Sequence, residues 1–307
     1  MDADEPIAQP ANHGFDSPTA DVILRSSDDL DFRVHKLILS ENSPIFEGMF
    51  ALPPPSSFSP SSADAKLDDL PIVPVPEDSQ TLSHLLRACY PSKGVWFPDL
   101  TVLGKVLLTA EKYSMIGIMS LLAPLLAEHG LADREPMRVY ALACRFGLTN
   151  VAAVAAKASL KHTFPGPSFP ELKYMCGQSF HDLITYRYRC SWIISNLFND
   201  PGSVWNDKDT PFPHYWGDFP NNGCDQCGMA WFDAFKQSIS KEAFDRCVSG
   251  STVLSPDLLN RTFNRESCDT CQTTETLTAL MEFCSRLAVI ADREIAKVRP
   301  IGVICRG

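Results

Sequence analysis

Two cysteine pairs carry the side chains best suited to chemistry. Cys224-Asp225-Gln226-Cys227-Gly228 is one CxxC unit, and Cys268-Asp269-Thr270-Cys271 is a second. A CxxC turn brings two thiolates onto one metal ion, and a glycine after the second cysteine permits a tight knuckle. Two such units supply the four sulfurs of a closed tetrahedral site. Cys224, Cys227, Cys268 and Cys271 are therefore the candidate metal ligands, with structural zinc as the cofactor. The stretch between the pairs is longer than in a compact zinc ribbon. It contains helical segments, so the ion would staple two parts of a helical module. Free thiols, a disulfide, or a thiol-redox pair at Cys224 and Cys227 remain as competing readings, although neither CxxC sits in a strand-to-helix context. Cys176, Cys247 and His214 are substitute ligands that read equally as loop or core residues.

The remaining chemistry is sparse. No G-x-S-x-G element, P-loop or H-E-x-x-H run is present, and the seven histidines are scattered without a nucleophile at a recognisable spacing. The expectation is a protein that is not an enzyme. Asp28, Asp29 and Asp31 lack the full set of oxygen ligands of a calcium loop and read as an exposed turn. Of the 11 cysteines, Cys89, Cys144, Cys190, Cys284 and Cys305 lie among apolar neighbours and read as small buried hydrophobes. The net charge of −10 and the lack of a basic cluster argue against a nucleic-acid partner. No apolar stretch reaches membrane-spanning length. The acidic start MDADEPIAQP does not read as a secretory signal, so the expected location is cytoplasmic or nuclear.

The elements that position these residues fall into two parts. Residues 1–19 are polar and Pro-containing and read as a flexible lead-in. Two alternating runs, Asp21–Arg25 and Asp31–Val34, flank Ser26-Ser27-Asp28-Asp29 and predict a hairpin. A short helix from His35 follows, with Ser40 as its expected stop. Ser43-Pro44 opens another helix, with Ser as cap and Pro at the first position. Residues 52–69 are rich in Pro and Ser and read as a disordered insertion. Ile72–Val75 contains Pro74, which lacks an N–H and predicts an edge strand. Ser79–Tyr90, Leu100–Tyr113 and residues 116–129 show helical periodicity, with a kink or break expected at Pro124.

Asp21-Val22, Phe32-Arg33-Val34-His35-Lys36, Leu39, Ser43-Pro44-Ile45-Phe46 and Met49-Phe50 together resemble the opening of a BTB/POZ domain, a protein-interaction fold. The resemblance implies an α+β domain over residues 20–130, with the insertion at 52–69. It also implies a structural, buried His35 at a helix start. In BTB domains of the transcription-factor type, an Asp at the first strand and a basic residue after the His lie in a charged groove at the dimer interface. Asp21 and Lys36 match those positions and are the candidate interaction residues. Their alternative roles are a strand cap and a solvated lysine. A homodimer is implied, yet the N-terminal strand-and-helix arm that supports swapping in that family is missing. Many BTB proteins recruit a cullin ubiquitin ligase through a hydrophobic residue followed two positions later by Glu. Here that loop reads Phe50-Ala51-Leu52-Pro53-Pro54-Pro55, so cullin recruitment stays open.

Beyond the domain, Pro136 marks a helix start and Gly147 a stop, and Val151–Leu160 is Ala-rich. Residues 131–164 thus resemble the BACK-like helical hairpin after many BTB domains, and specifically the large BTB group of mushroom-forming fungi. Pro165-Gly166-Pro167 and Pro170 read as a linker. Residues 171–307 read as an all-α C-terminal module, with helices expected at 180–198, Trp231–Ser240, Pro256–Phe263 and Thr274–Val298. In the last of these, Leu277, Leu280, Met281, Cys284, Leu287, Ala288 and Ala291 repeat at helical spacing. The function implied is a non-catalytic scaffold or adaptor, such as a ubiquitin-ligase substrate adaptor. The alternatives are a transcriptional co-regulator acting through partners and the thiol-redox protein above.

Overall fold

The computed structural model describes residues 14–52, 70–90, 94–128, 130–197, 230–245, 250 and 274–300. The chain divides into two compact units, Met1–Leu126 and Ala127–Gly307.

The N-terminal unit is built on a three-stranded sheet in the order β2-β1-β3. Strands β1 (Val22–Arg25) and β2 (Asp31–Val34) form the expected hairpin, pairing antiparallel from Val22 opposite Val34 to Arg25 opposite Asp31. The turn closes through Ser26: its N–H donates to Leu30 O at 2.9 Å, and its Oγ accepts the Leu30 N–H at 3.0 Å. Asp29 takes the left-handed conformation there, with φ 60°, which Asp tolerates better than most residues. β1 is central and apolar, and Val22, Ile23 and Leu24 are all buried. On β2 the alternation sends Phe32 and Val34 inward. β3 (Ile72–Pro74) adds in parallel to β1 as the edge strand that Pro74 requires.

Helix α1 (Lys36–Asn42) runs past Ser40, the expected stop, and the Asn42 amide donates back to Ile38 O at 2.8 Å. α2 (Pro44–Ala51) starts as the sequence predicts, with the Ser43 hydroxyl accepting the Phe46 N–H at 3.1 Å. α3 (Ser79–Cys89) and α4 (Leu100–Lys112) are capped by the carboxylates of Asp78 and Asp99. Their buried faces, Leu82, Leu85 and Leu86 on one and Leu103, Val106 and Leu107 on the other, form the core. α4 ends on Ser114 at φ 55°. The Met115 N–H bonds to Ala110 O and the Ser114 N–H to Glu111 O, the paired bonds of a Schellman motif. α5 (Ile116–Leu122) gives way to a 3-10 turn, Ala123–Ala127, at the predicted break around Pro124.

Every regular element among the described residues of the C-terminal unit is a helix or a 3-10 turn. A short α6 (Leu131–Arg134), which the pattern does not reveal, precedes α7 (Pro136–Arg145) and α8 (Thr149–Ser159). Gly147, at φ 68°, ends α7 with the same pair of bonds, Leu148 N–H to Ala143 O and Gly147 N–H to Cys144 O. A 3-10 turn (Pro170–Tyr174) leads into α9 (Gly177–Leu197), followed by α10 (Ala230–Asp245) and α11 (Thr274–Lys297). α10 exceeds the expected Trp231–Ser240, and Pro256–Phe263 lies outside the described residues. On α11, Cys284, Leu287, Ala288 and Ala291 are buried as the spacing predicts, but Met281 is an exception at 54% exposed.

Two arginines hold this unit together across the Pro-rich stretch at 165–170. Arg138 on α7 donates to Glu171 Oε2 and Oε1 at 2.9 and 2.6 Å, and to Glu135 at 2.5 Å. Arg187 on α9 donates to the carbonyls of Ser159, the last residue of α8, and of His162 just past it, and lies 4.8 Å from the Phe164 ring centroid. A guanidinium offers several donors in a fixed fork, so one side chain bonds two carbonyls at a helix end at once.

Candidate interaction surface

The end of the sheet where β1 begins and β2 finishes gathers Asp21, His35 and Lys36. Asp21 Oδ1 accepts the Lys36 backbone N–H at 2.7 Å. His35 occupies the N-cap position of α1 but its ring makes no capping bond. Asp21, brought alongside by the hairpin register, does that work from a distance in sequence. The Lys36 ammonium is free to lie 5.9 Å from the Phe50 ring centroid at the far end of α2, a cation–π contact. Next to it Leu37 is 70% exposed, and on α2 Ile45 is 45% exposed.

His35 sits where the helix starts, half-buried rather than buried. Its backbone N–H donates to the Tyr90 hydroxyl at 2.9 Å, its Nδ1 lies 3.1 Å from that hydroxyl, and its Nε2 lies 3.0 Å from Thr19 Oγ1. Both ring nitrogens are thus committed to hydroxyls. Phe15 packs edge-on against Tyr90 at 5.5 Å and tilted against Phe32 at 6.0 Å. Burial pushes the Tyr90 phenol above its usual range, against the opposing bond from the His35 N–H.

The acidic turn is committed to structure. Asp28 accepts from the Ser79 N–H and hydroxyl at 2.8 and 2.6 Å, and these bonds draw its carboxyl down to about 2. Asp31 pairs with Arg25 at 2.7 Å. A second polar knot lies at Glu77, whose side chain is 8% exposed. It accepts from the Lys112 ammonium at 2.6 Å and the Tyr113 hydroxyl at 2.8 Å. Burial and then Glu77 raise the Tyr113 phenol. Tyr90, Thr19, Glu77 and Tyr113 were not singled out by the sequence as polar partners. Tyr90 shows there only as one apolar position on a helix face, and its hydroxyl contact spans 55 residues.

Cys89, Cys144, Cys190 and Cys284 are free and buried. Burial raises all four thiols, Cys89 and Cys284 to about 12 and Cys190 to about 11. They stay protonated and unreactive at neutral pH. Cys176, a substitute ligand by sequence, is disulfide-bonded, which withholds its sulfur from a zinc site. Cys224, Cys227, Cys268 and Cys271 lie outside the described residues, as do Cys247, His214 and Cys305. Among the described residues no cluster of three or more His, Cys, Asp or Glu side chains could hold a metal ion.

Residues 12–129 match the family model of the BTB/POZ domain. This segment is a BTB/POZ domain. No curated protein matches the chain. BTB domains are protein-interaction modules that also mediate dimerisation, and they are typically non-enzymatic. In this BTB domain the helix start at Lys36 is held in place by the Asp21 carboxylate. Past α2, Leu52 is 70% exposed, and the Pro/Ser stretch that follows lies outside the described residues. Among the described residues, no helix is long and apolar enough to cross a membrane.

Proposed function

We propose that this chain is a non-catalytic adaptor whose BTB domain binds a second copy of itself or a cullin ligase. In this reading the helical C-terminal unit holds another protein, as the substrate of a ubiquitin ligase. The observation that carries it is the exposed Leu37 beside Lys36 at the start of α1, within an interaction domain. An apolar side chain beside an anchored charge supplies both contact area and orientation. The likeness of the helical hairpin to the extension of fungal BTB proteins supports the same assignment, as does the cytoplasmic or nuclear location expected from the sequence.

Light scattering on the eluted full-length chain tests self-pairing. The expected result is a dimer mass that falls to the monomer in Leu37→Asp, and a monomer mass for the unaltered chain overturns it. A pull-down with a cullin decides the ligase reading, and absence of binding at micromolar concentration removes it.

The CxxC pairs complete the proposal: Cys224, Cys227, Cys268 and Cys271 hold one structural zinc ion. Their deprotonation couples metal binding to folding, so a chelator unfolds part of the C-terminal unit and leaves the BTB domain folded. Metal analysis giving clearly less than one zinc per chain sinks this assignment.

A further inference from the structure

Five serines or threonines in this sequence precede a proline: Ser17, Ser43, Ser59, Thr210 and Ser255. The structure describes two of them and separates them sharply. Ser43 is 1% exposed, donates to Tyr113 O at 2.6 Å and accepts the Phe46 N–H, so its hydroxyl is closed to any enzyme. Ser17 lies on a surface turn, Ser17-Pro18-Thr19-Ala20, closed by one bond of 3.2 Å from the Ala20 N–H to Ser17 O. Pro18 and Thr19 are exposed. This turn forms part of an arm, residues 14–20, that is fastened by the buried Phe15 ring and by the Arg33 N–H donating to Phe15 O at 3.0 Å.

The Ser17 hydroxyl ends a chain of polar contacts that begins in the fold. Ser17 Oγ lies 2.8 Å from Thr19 Oγ1, which lies 3.0 Å from His35 Nε2. One hydroxyl therefore separates Ser17 Oγ from the imidazole. We propose that Ser17 is a phosphorylation site for a separate Ser-Pro-directed protein kinase, and that its phosphate clamps the arm onto His35. The γ-phosphoryl group of a nucleoside triphosphate passes to Ser17 Oγ. The bond to the departing diphosphate breaks as the Oγ–P bond forms, and the hydroxyl proton goes to the kinase's base. A phosphoserine carries about −1.5 to −2 charges and three strong acceptor oxygens. Those oxygens take the place of the Ser17 hydroxyl beside Thr19 Oγ1, one contact from His35 Nε2. The charged and titratable groups around the ring are Asp16 on the arm, Asp21 before β1, Arg33 on β2, Lys36 on α1 and Tyr90 after α3. The two carboxylates oppose the phosphate, and Arg33 and Lys36 favour it.

The test treats the full-length chain with a proline-directed kinase and magnesium ATP, and locates phosphate by mass spectrometry. A free peptide of residues 11–24 serves as the control substrate. Phosphate on Ser17 and none on Ser43 is expected, with Ser17→Ala losing that phosphopeptide alone. An unmodified Ser17 under conditions that modify the free peptide overturns the site. The clamp is read from the ring signals of His35 by NMR. At one fixed pH, phosphorylation is expected to shift the His35 ring signals in the unaltered chain, while kinase treatment leaves them in place in Ser17→Ala. Unmoved ring signals in the phosphorylated chain overturn the clamp.

Discussion

The two units close their helix ends by different means. In the BTB domain, short side chains close the starts of α1 to α4, though not of α5: Ser43, Asp78 and Asp99 each accept an N–H three residues on, and Asp21 and Asp28 reach across from the hairpin to Lys36 and Ser79. In the helical unit, α6, α7 and α8 have no side-chain cap at the N-terminus. There, long arginines reach to carbonyls and carboxylates: Arg187 on α9 to the end of α8, and Arg138 on α7 to Glu171 and to Glu135 before its own helix. A local cap contributes about 1 kcal/mol and its loss stays local. A buried arginine with several acceptors concentrates a larger contribution in one residue, and its removal takes a donor from all of them at once.

The sharpest way to break this contrast is Arg187→Ala. Arg187 is 5% exposed, and its loss takes a donor from the Ser159 and His162 carbonyls and removes the contact with Phe164. The expected cost is about 3 kcal/mol or more. Hydrogen exchange should accelerate in α8 and α9 and stay unchanged in β1. Exchange that accelerates equally in β1 contradicts the separation of the two units.

Glu171→Gln should cost somewhat less, about 2 kcal/mol, because Arg138 keeps Glu135. Burial alone would raise the Glu171 carboxyl, but the bonds from Arg138 outweigh it and hold it below the usual value of 4.5. A lowered carboxyl contributes its full stability above the unfolded value and loses it as pH falls through the folded one. The gap in unfolding midpoint between the unaltered chain and Glu171→Gln should thus be present at pH 6 and shrink steadily below about pH 4.5. A gap constant down to pH 3 would show that the charge on Glu171 contributes nothing.

The smallest expected effect compares one motif in both units. α4 and α7 end in the same Schellman bonds, one on Ser114 and the other on Gly147. Serine strains at φ 55° where glycine does not. Ser114→Gly should raise stability by about 0.5–1 kcal/mol, read as a higher urea midpoint with an unchanged slope. A lower midpoint would mean that the serine side chain contributes more than its backbone conformation costs.

That pair also shows what the sequence discloses. Gly147 announces a helix end because glycine is the residue such an end favours. Ser114 gives no such signal, and the end of α4 is bounded in sequence only by the fading of its apolar spacing at Tyr113. The hairpin, the Ser43-Pro44 start, the edge strand and the break at Pro124 are legible for the same local reason. The roles of Tyr90, Glu171 and Arg187 depend on which elements meet in space, and periodicity places no partner 25 or more residues away. At the candidate surface, Asp21 and Lys36 are visible from their places in the BTB motif. That the carboxylate binds the Lys36 backbone rather than its ammonium follows only once the hairpin register is fixed.

The sheet itself limits how this protein can be bound. On the outer side of β2, Asp16 bridges Arg33 in parallel and the Phe15 carbonyl takes the Arg33 N–H. On the outer side of β3, Pro74 offers no donor. An incoming extended peptide needs a run of open backbone groups to extend a sheet, and neither margin offers one of any length. Among the described residues, exposed side chains such as Leu37 on α1 and Ile45 on α2 therefore offer contact area that the sheet margins do not. The same closed margins keep neighbouring copies from joining edge to edge in a crowded solution.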